Sequence, residues 1–316
     1  MNNIFIGPFK TQLNSYYKYK ISLGYKLESE LIKLKNFDEY TYNNKSNKLS
    51  LDLIYKYMNT KNIKQNSKAS IISVLRKFIE YLYNKNECDF IIPKRIYRRK
   101  DTFIPHIFTN DEINKFFLTA KDFYPDDEYK NRIINLCFKL LYCTGMRISE
   151  CLNLKFSDVN FSDNSIIIYN TKNYVDRRII INDKLIDEIK YLKNNYSNII
   201  YENDNGYIFI NRSGKRYTRS GIYSIFTKII YYSGIEKGPR IHSFRHTYCV
   251  RGFQKIFDCS DNYFEKICTL SIYVGHKNLV STEYYLRLTA ELYPKIREKI
   301  EKYSNNIIIE MEDYNE

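Results

Sequence analysis

Apolar positions recur at helical spacing through the first third of the chain. Phe9, Leu13, Tyr16, Tyr17 and Ile21 follow i, i+3/i+4 steps, and Gly24 closes the run. A second helix is predicted over 27–40. Ser50 is placed to cap a third, with Leu53, Ile54 and Tyr57 on one face. The clearest stripe is the fourth: Ile71, Ile72, Leu75, Phe78, Ile79 and Leu82 in SIISVLRKFIEYLYNK. Lysines lie between and beside the stripes, so the pattern predicts a helical bundle with a basic surface.

The pattern breaks at 92–106, IPKRIYRRKDTFIPH, where Pro93 and Pro105 bracket Lys94, Arg95, Arg98, Arg99 and Lys100. Prolines make an extended connector, and the charges keep it solvated or hold it on a polyanion. Thr109 and Glu112 have capping-box spacing and open a new helix. Helical patterns cover 110–123 and 128–143. Residues 165–170 (SIIIYN) and 177–182 (RRIIIN) read as two strands joined by TKNYVD, a β-hairpin. Helices resume near 184–195, 219–233, 243–257, 261–273 and 280–301. The expected architecture has two domains, an all-α bundle over 1–91 and an α+β domain with a small β-hairpin sheet over 107–303. A basic linker over 92–106 joins them, and a tail over 304–316 follows.

Charge sharpens this division. The chain has 316 residues with 50 Lys and Arg against 36 acids, a net charge of +14. Residues 1–100 alone carry +12, and the remainder is nearly balanced at +2. Such asymmetry fits a nucleic acid, an anionic membrane, or simply a lysine-rich solvated surface. No apolar run approaches the ~18 residues that span a bilayer. The N-terminus lacks a secretory pattern. Seven cysteines without a CxxC pair argue against a disulfide framework or zinc site and fit a reducing cytoplasm.

Candidate chemistry lies in the second domain. Three of the four histidines fall at 242, 246 and 276. In RIHSFRHT, His242 and Arg245 share a helical face, with His246 on a neighbouring one. A titratable ring beside a guanidinium fork suits a phosphate; a helix start with exposed bases gives the same spacing. In LLYCTGMRISECLNL, Thr144-Gly145 breaks a helix and Arg147 lies at the start of the next, where free amides favour an anion. Glu150, one turn on, is placed to fix the guanidinium. A purely structural Arg–Glu pair has that spacing too.

Together these segments resemble the tyrosine recombinase family, which includes phage integrases, Xer-type recombinases and mobile-element integrases. The family's TG-hydrophobic-R-hydrophobic-S-E-L block is matched by TGMRISEC, with Cys151 in place of Leu. Its HxLRHT is matched by HSFRHT, with Phe244 for Leu, and its LGH by VGH at 274–276. Nine residues after that histidine, where the family has its nucleophilic tyrosine, stands Tyr285. Its neighbour Tyr284 takes the position of a packing aliphatic. The family's hairpin lysine corresponds to Lys172. The resemblance implies a catalytic set of Arg147, Lys172, His242, Arg245, His276 and Tyr285, supported by Glu150 and His246. No metal or cofactor is implied.

The implied function is site-specific recombination of double-stranded DNA by a homotetramer. It proceeds through a 3′-phosphotyrosyl intermediate and a Holliday junction, with accessory DNA-bending proteins as further partners. Lys94, Arg95, Arg98, Arg99 and Lys100 become DNA-contact candidates. The STEYYLRL and FTNDEI segments look most like integrases of mobile elements in low-GC bacteria, which implies a cytoplasmic, nucleoid-associated protein. A Xer-type dimer-resolving recombinase and a type IB topoisomerase use the same chemistry. An inactive DNA-binding module is the alternative from another class. Membrane-surface binding is disfavoured by the lack of a broad amphipathic face. In the tail, Ile307, Ile308 and Met311 stand among Glu310, Glu312, Asp313 and Glu316, a segment expected to dock on a neighbouring protomer.

Overall fold

Among the described residues, four helices build the first of two units, 1–103 and 104–316, in the computed structural model of the chain. The structure describes residues 4–25, 27–97, 104–169, 176–201, 206–236, 238–259, 263–276, 279–292 and 298. The helices are α1 (Lys10–Ser22), α2 (Glu28–Asn43), α3 (Leu51–Asn59) and α4 (Gln65–Tyr83). Ile72, Leu75, Phe78, Ile79 and Leu82 of α4 form the centre of one core. Leu13 and Tyr16 join it from α1, Leu34 and Phe37 from α2, and Ile54 and Tyr57 from α3. Ser50 caps α3, its hydroxyl accepting from the Leu53 amide at 3.2 Å.

Two details depart from the apolar pattern. Ile21 is exposed. It lies five residues after Tyr16, which is about 140° around a helix and off the buried face. Helix α2 runs three residues past the expected end, because Asp38 and Thr41 are buried along it. The Asp38 carboxylate accepts from the amides of Ile6 and Gly7 at 2.7 and 3.0 Å, pinning the N-terminal segment to α2. At the other end, Arg76 donates to the carbonyls of Ile92 and Pro93, each at 3.0 Å. Lys94 and Arg95 follow in an exposed turn.

The second unit contains α5 (Asn110–Lys121), α6 (Glu128–Thr144) and α7 (Ile148–Leu152), then a 3₁₀ turn over Phe156–Asp158. Thr109 and Glu112 form the capping box at the start of α5. Three antiparallel strands follow in the order β1 (Val159–Asn160), β2 (Ser165–Ile168), β3 (Arg177–Ile180). Ser165 pairs with Ile180 and Ile168 with Arg177. The hairpin pattern anticipated β2 and β3 but not β1, whose two residues are too short to show a period. The expected turn, 171–176, lies outside the described residues except for Asp176. The unit continues with α8 (Asp183–Asn195), the short α9 (Ser197–Tyr201), α10 (Arg219–Tyr232), α11 (Ile241–Cys259), α12 (Tyr263–Val274) and α13 (Leu279–Leu292). The predicted tail at 304–316 is outside the described residues.

Helix α11 packs on α6, α12 and α13. Phe244, where the resemblance expects Leu, is fully buried among Phe108, Phe116, Phe138 and Phe226, with ring centroids 5.1–6.3 Å away. This aromatic cluster fixes the rotation of α11 and so decides which face carries His242, Arg245 and His246.

Candidate active site

The site begins where α6 stops. Gly145 ends the helix at φ 63°, in the left-handed region. A Cβ there would lie 2.7 Å from Tyr248 Cδ1, so the position requires glycine on both counts. The freed Gly145 carbonyl accepts from Arg245 Nη1 at 2.8 Å. Arg147 follows as the N-cap of α7. Glu150 accepts from its backbone amide at 2.8 Å and from its Nη1 at 2.7 Å. Arg147 Nη2 donates to the Gly275 carbonyl at 2.8 Å, which places the guanidinium beside the turn carrying His276.

Helix α11 contributes successive turns of functional groups. Arg245 and His246 are buried, while His242 keeps part of its surface open to solvent. The His242 and His246 rings meet edge to face at 4.7 Å. Tyr285, on α13, is 5% exposed. Its hydroxyl lies 3.0 Å from His246 Nδ1. Its ring stacks on His276, with centroids 5.2 Å apart and planes 4° from parallel. His276 Nδ1 lies 3.1 Å from Thr282 Oγ1, which bonds in turn to Ser271. His276 Nε2 is buried without a hydrogen-bond partner, the one such side-chain atom among the described residues of this unit. Tyr284 is half-buried, its ring edge-on to Tyr285 at 5.3 Å.

Burial dominates the electrostatics. Desolvation, then the charges of Arg245 and Arg147, push His242 and His276 each down to about 4. Desolvation, then His242 and Arg245, push His246 to about 3. All three rings are therefore neutral near pH 7. Burial first, and Cys249 next, raise Tyr285 above the ordinary phenol value. The charge and hydrogen bond of Arg245 work in the other direction. Burial pushes the neighbouring Cys249 thiol up to about 11. Desolvation opposes ionisation of Glu150, yet Arg177 and Arg147 together hold its carboxyl below the usual range.

Six of the residues singled out in the sequence therefore meet here: Arg147, His242, Arg245, His246, His276 and Tyr285, with Glu150 behind them. Lys172, Arg98, Arg99 and Lys100 lie outside the described residues. Lys94 and Arg95 belong to the first unit. The sequence reading missed Arg177. This side chain is 5% exposed and grips Glu150 with Nη2 at 2.6 Å and Nη1 at 3.2 Å, while its Nε donates to the Tyr273 carbonyl at 2.9 Å. A signal existed. Alternation in RRIIIN puts Arg177 on the same face as Ile179 and Ile181, both buried. An inward arginine on a core strand needs a buried partner.

The assembled geometry finds a match in known proteins. The model of the phage integrase family matches residues 106–291, more than half of the chain. Tyrosine recombinase XerC of Staphylococcus aureus (strain JH9) is 25% identical over 289 residues, covering 90% of this chain and 88% of that protein. XerC of Pediococcus pentosaceus is 25% identical over 262 residues, 81% of each. Among solved structures, the XerH site-specific recombinase bound to a palindromic difH substrate superposes with a TM-score of 0.66. The identity is 19%, over 88% of this chain and 78% of that one. A lambda integrase dimer on a COC′ core site gives 0.64 at 17% identity, over 87% and 94%. At these identities the structures establish a shared fold. With the family match spanning both arginine motifs, the VGH turn and the tyrosine, the chain belongs to the phage integrase family of tyrosine recombinases.

Proposed function

We propose that this protein is a site-specific recombinase that cuts and rejoins double-stranded DNA with Tyr285 as nucleophile. The observation that carries the reading is the environment of the Tyr285 ring. Arg245, His246 and His276 surround it, Arg147 binds the Gly275 carbonyl next to His276, and His276 Nε2 is buried with no partner. A buried polar nitrogen left unpaired is costly in a folded protein. A phosphate oxygen entering beside Tyr285 relieves that cost.

In the reaction, Tyr285 Oη attacks phosphorus and the bond from phosphorus to the 5′-oxygen breaks. The phenolic proton leaves to a base in the site, and Lys172, by resemblance, protonates the departing oxygen. Arg147 and Arg245 neutralise the non-bridging oxygens as charge builds, and neither deprotonates. His242 and His276, neutral in the free protein, donate hydrogen bonds to the same phosphate. The 3′-phosphotyrosyl bond stores the energy of the broken phosphodiester, so a 5′-hydroxyl from another strand reverses the step without ATP. Four protomers on two duplexes exchange one pair of strands, pass through a Holliday junction, and exchange the other. The basic first unit, with Lys94 and Arg95 at its end, binds the duplex.

The likeness of the STEYYLRL and FTNDEI segments to mobile-element integrases favours integration and excision of a mobile element. The XerC relatives, aligned over 81–90% of this chain, favour a second reading, resolution of chromosome dimers. Incubation with cloned element-end DNA and with a dimer-resolution site separates the two. A denaturation-resistant adduct, mapped to one phosphate, is expected on the element ends. An adduct on the resolution site alone favours the second reading, and none on either refutes the proposed function.

A further inference from the structure

Arg177 is the most completely engaged side chain near the site, yet it belongs to none of the motifs that define it. It uses three separate donor positions, on Glu150 and on the Tyr273 carbonyl. It also presses on the VGH turn, since a Cβ on Gly275 would lie 2.9 Å from its Nη1. Glu150 in turn accepts four hydrogen bonds. Two come from Arg177, and two from Arg147, one through the backbone amide and one through Nη1. A carboxylate offers about four lone-pair sites, so this one is saturated.

Saturation matters for Arg147. A buried carboxylate facing a single guanidinium takes it in the parallel two-bond fork, the strongest arrangement available to the pair. Here Arg177 occupies that fork. Arg147 is left one side-chain bond to Glu150 and one to the Gly275 carbonyl, and its remaining donors stay outside the ion pair. We propose that Arg177 is a positioning residue: by holding Glu150 in a two-bond fork, it keeps that carboxylate from capturing Arg147 and leaves Arg147 aimed at the scissile phosphate. The proposal rests on the reading of Arg147 as a phosphate ligand.

The test compares Arg177→Met and Arg177→Lys with the unaltered chain on a labelled DNA half-site. It measures affinity, single-turnover adduct formation and thermal midpoint. Arg177→Met is expected to keep its affinity while adduct formation slows ~100-fold, as for a displaced catalytic group. Arg177→Lys should fall between, because an ammonium cannot form the fork. In a Glu150→Gln background the neutral amide no longer competes for Arg147, so Arg177→Met should slow the reaction by no more than about twofold further. The proposal is overturned if Arg177→Met cleaves at the normal rate. It is equally overturned if affinity and rate fall together, or if the full loss recurs in the Glu150→Gln background. Should Arg177→Met not fold, Arg177→Lys carries the same comparisons. Tyr285→Phe, run in parallel, separates the two readings. An adduct that survives it removes Tyr285 as nucleophile but leaves the Arg177 comparison of rates intact.

Discussion

The hydroxyl of Tyr285 lies 3.0 Å from Nδ1 of His246, a ring that burial holds neutral far below pH 7. Tyr285 itself is pushed by burial further into its phenol form. In the free protein this phenol is therefore protonated, enclosed and hydrogen-bonded to an uncharged partner. On the proposed reading it becomes reactive when a phosphate enters between it and the two guanidinium groups of Arg147 and Arg245.

Tyr285→Phe removes one oxygen and leaves the stacking on His276 in place. DNA affinity should persist and the covalent adduct should vanish. Tyr284→Phe should form adduct at close to the normal rate. Denaturing electrophoresis of each variant on labelled half-site DNA reads the outcome, and an adduct from Tyr285→Phe refutes the assignment.

Lys172→Ala should slow cleavage strongly with little change in binding. A 5′-bridging phosphorothioate, whose sulfur departs without a proton, should restore its rate. The same substrate should not rescue Arg147→Ala or Arg245→Ala, whose deficit is charge on the phosphate. If the thiol leaving group does not rescue Lys172→Ala, the lysine is not the acid.

Much of this architecture was legible because a few strong periodicities dominate it. The α4 stripe gave the centre of the first unit. Thr109 with Glu112 gave the start of α5, and Gly145 gave the end of α6. The gathering of Arg147, His242, Arg245, His276 and Tyr285 was legible only through ordered motifs, since successive members lie up to 95 residues apart and no local period links them. Arg177 was missed because a charged residue at a strand start usually faces solvent. Its inward register is fixed by pairing with Ile168, a tertiary fact. Ile21 misled for the opposite reason. It belongs to a permissible i+4 series from Tyr17, but the core selected the face through Leu13 and Tyr16.

Stability of the second unit should fall in mild acid. The folded pKa of His246 is about 3, below its ordinary 6.5, so the unfolded chain binds more protons between those values. Stability is thus complete above pH 6.5 and is lost as pH falls toward 3, with His276 acting in the same direction. At pH 5 the His246 contribution reaches about 2 kcal/mol. Thermal midpoints of the unaltered chain should drop from pH 7 to 5, and His246→Gln should blunt the drop. A flat pH profile contradicts the assignment of a buried neutral ring.

The first 100 residues carry +12, so DNA affinity of the full chain should depend steeply on salt. Each phosphate neutralised contributes a slope of about −0.9 in log affinity against log salt. Lys94→Ala with Arg95→Ala should reduce that slope, and an unchanged slope removes these two residues from the interface.

Beneath the helix that presents Glu150, Cys151 meets Cys137 of α6, with sulfurs 3.7 Å apart and both residues fully buried. The family's usual residue at 151 is the larger leucine, and the space here is shared with a neighbour that has its own volume. Enlarging one side alone overpacks the floor under α7 by about 1–3 kcal/mol. Cys151→Leu combined with Cys137→Ala removes only about a third of the added volume and should recover part of that loss. The two sulfurs thus fill one space between two helices, and the size of the side chain under Glu150 cannot change without a response from α6 fourteen residues earlier.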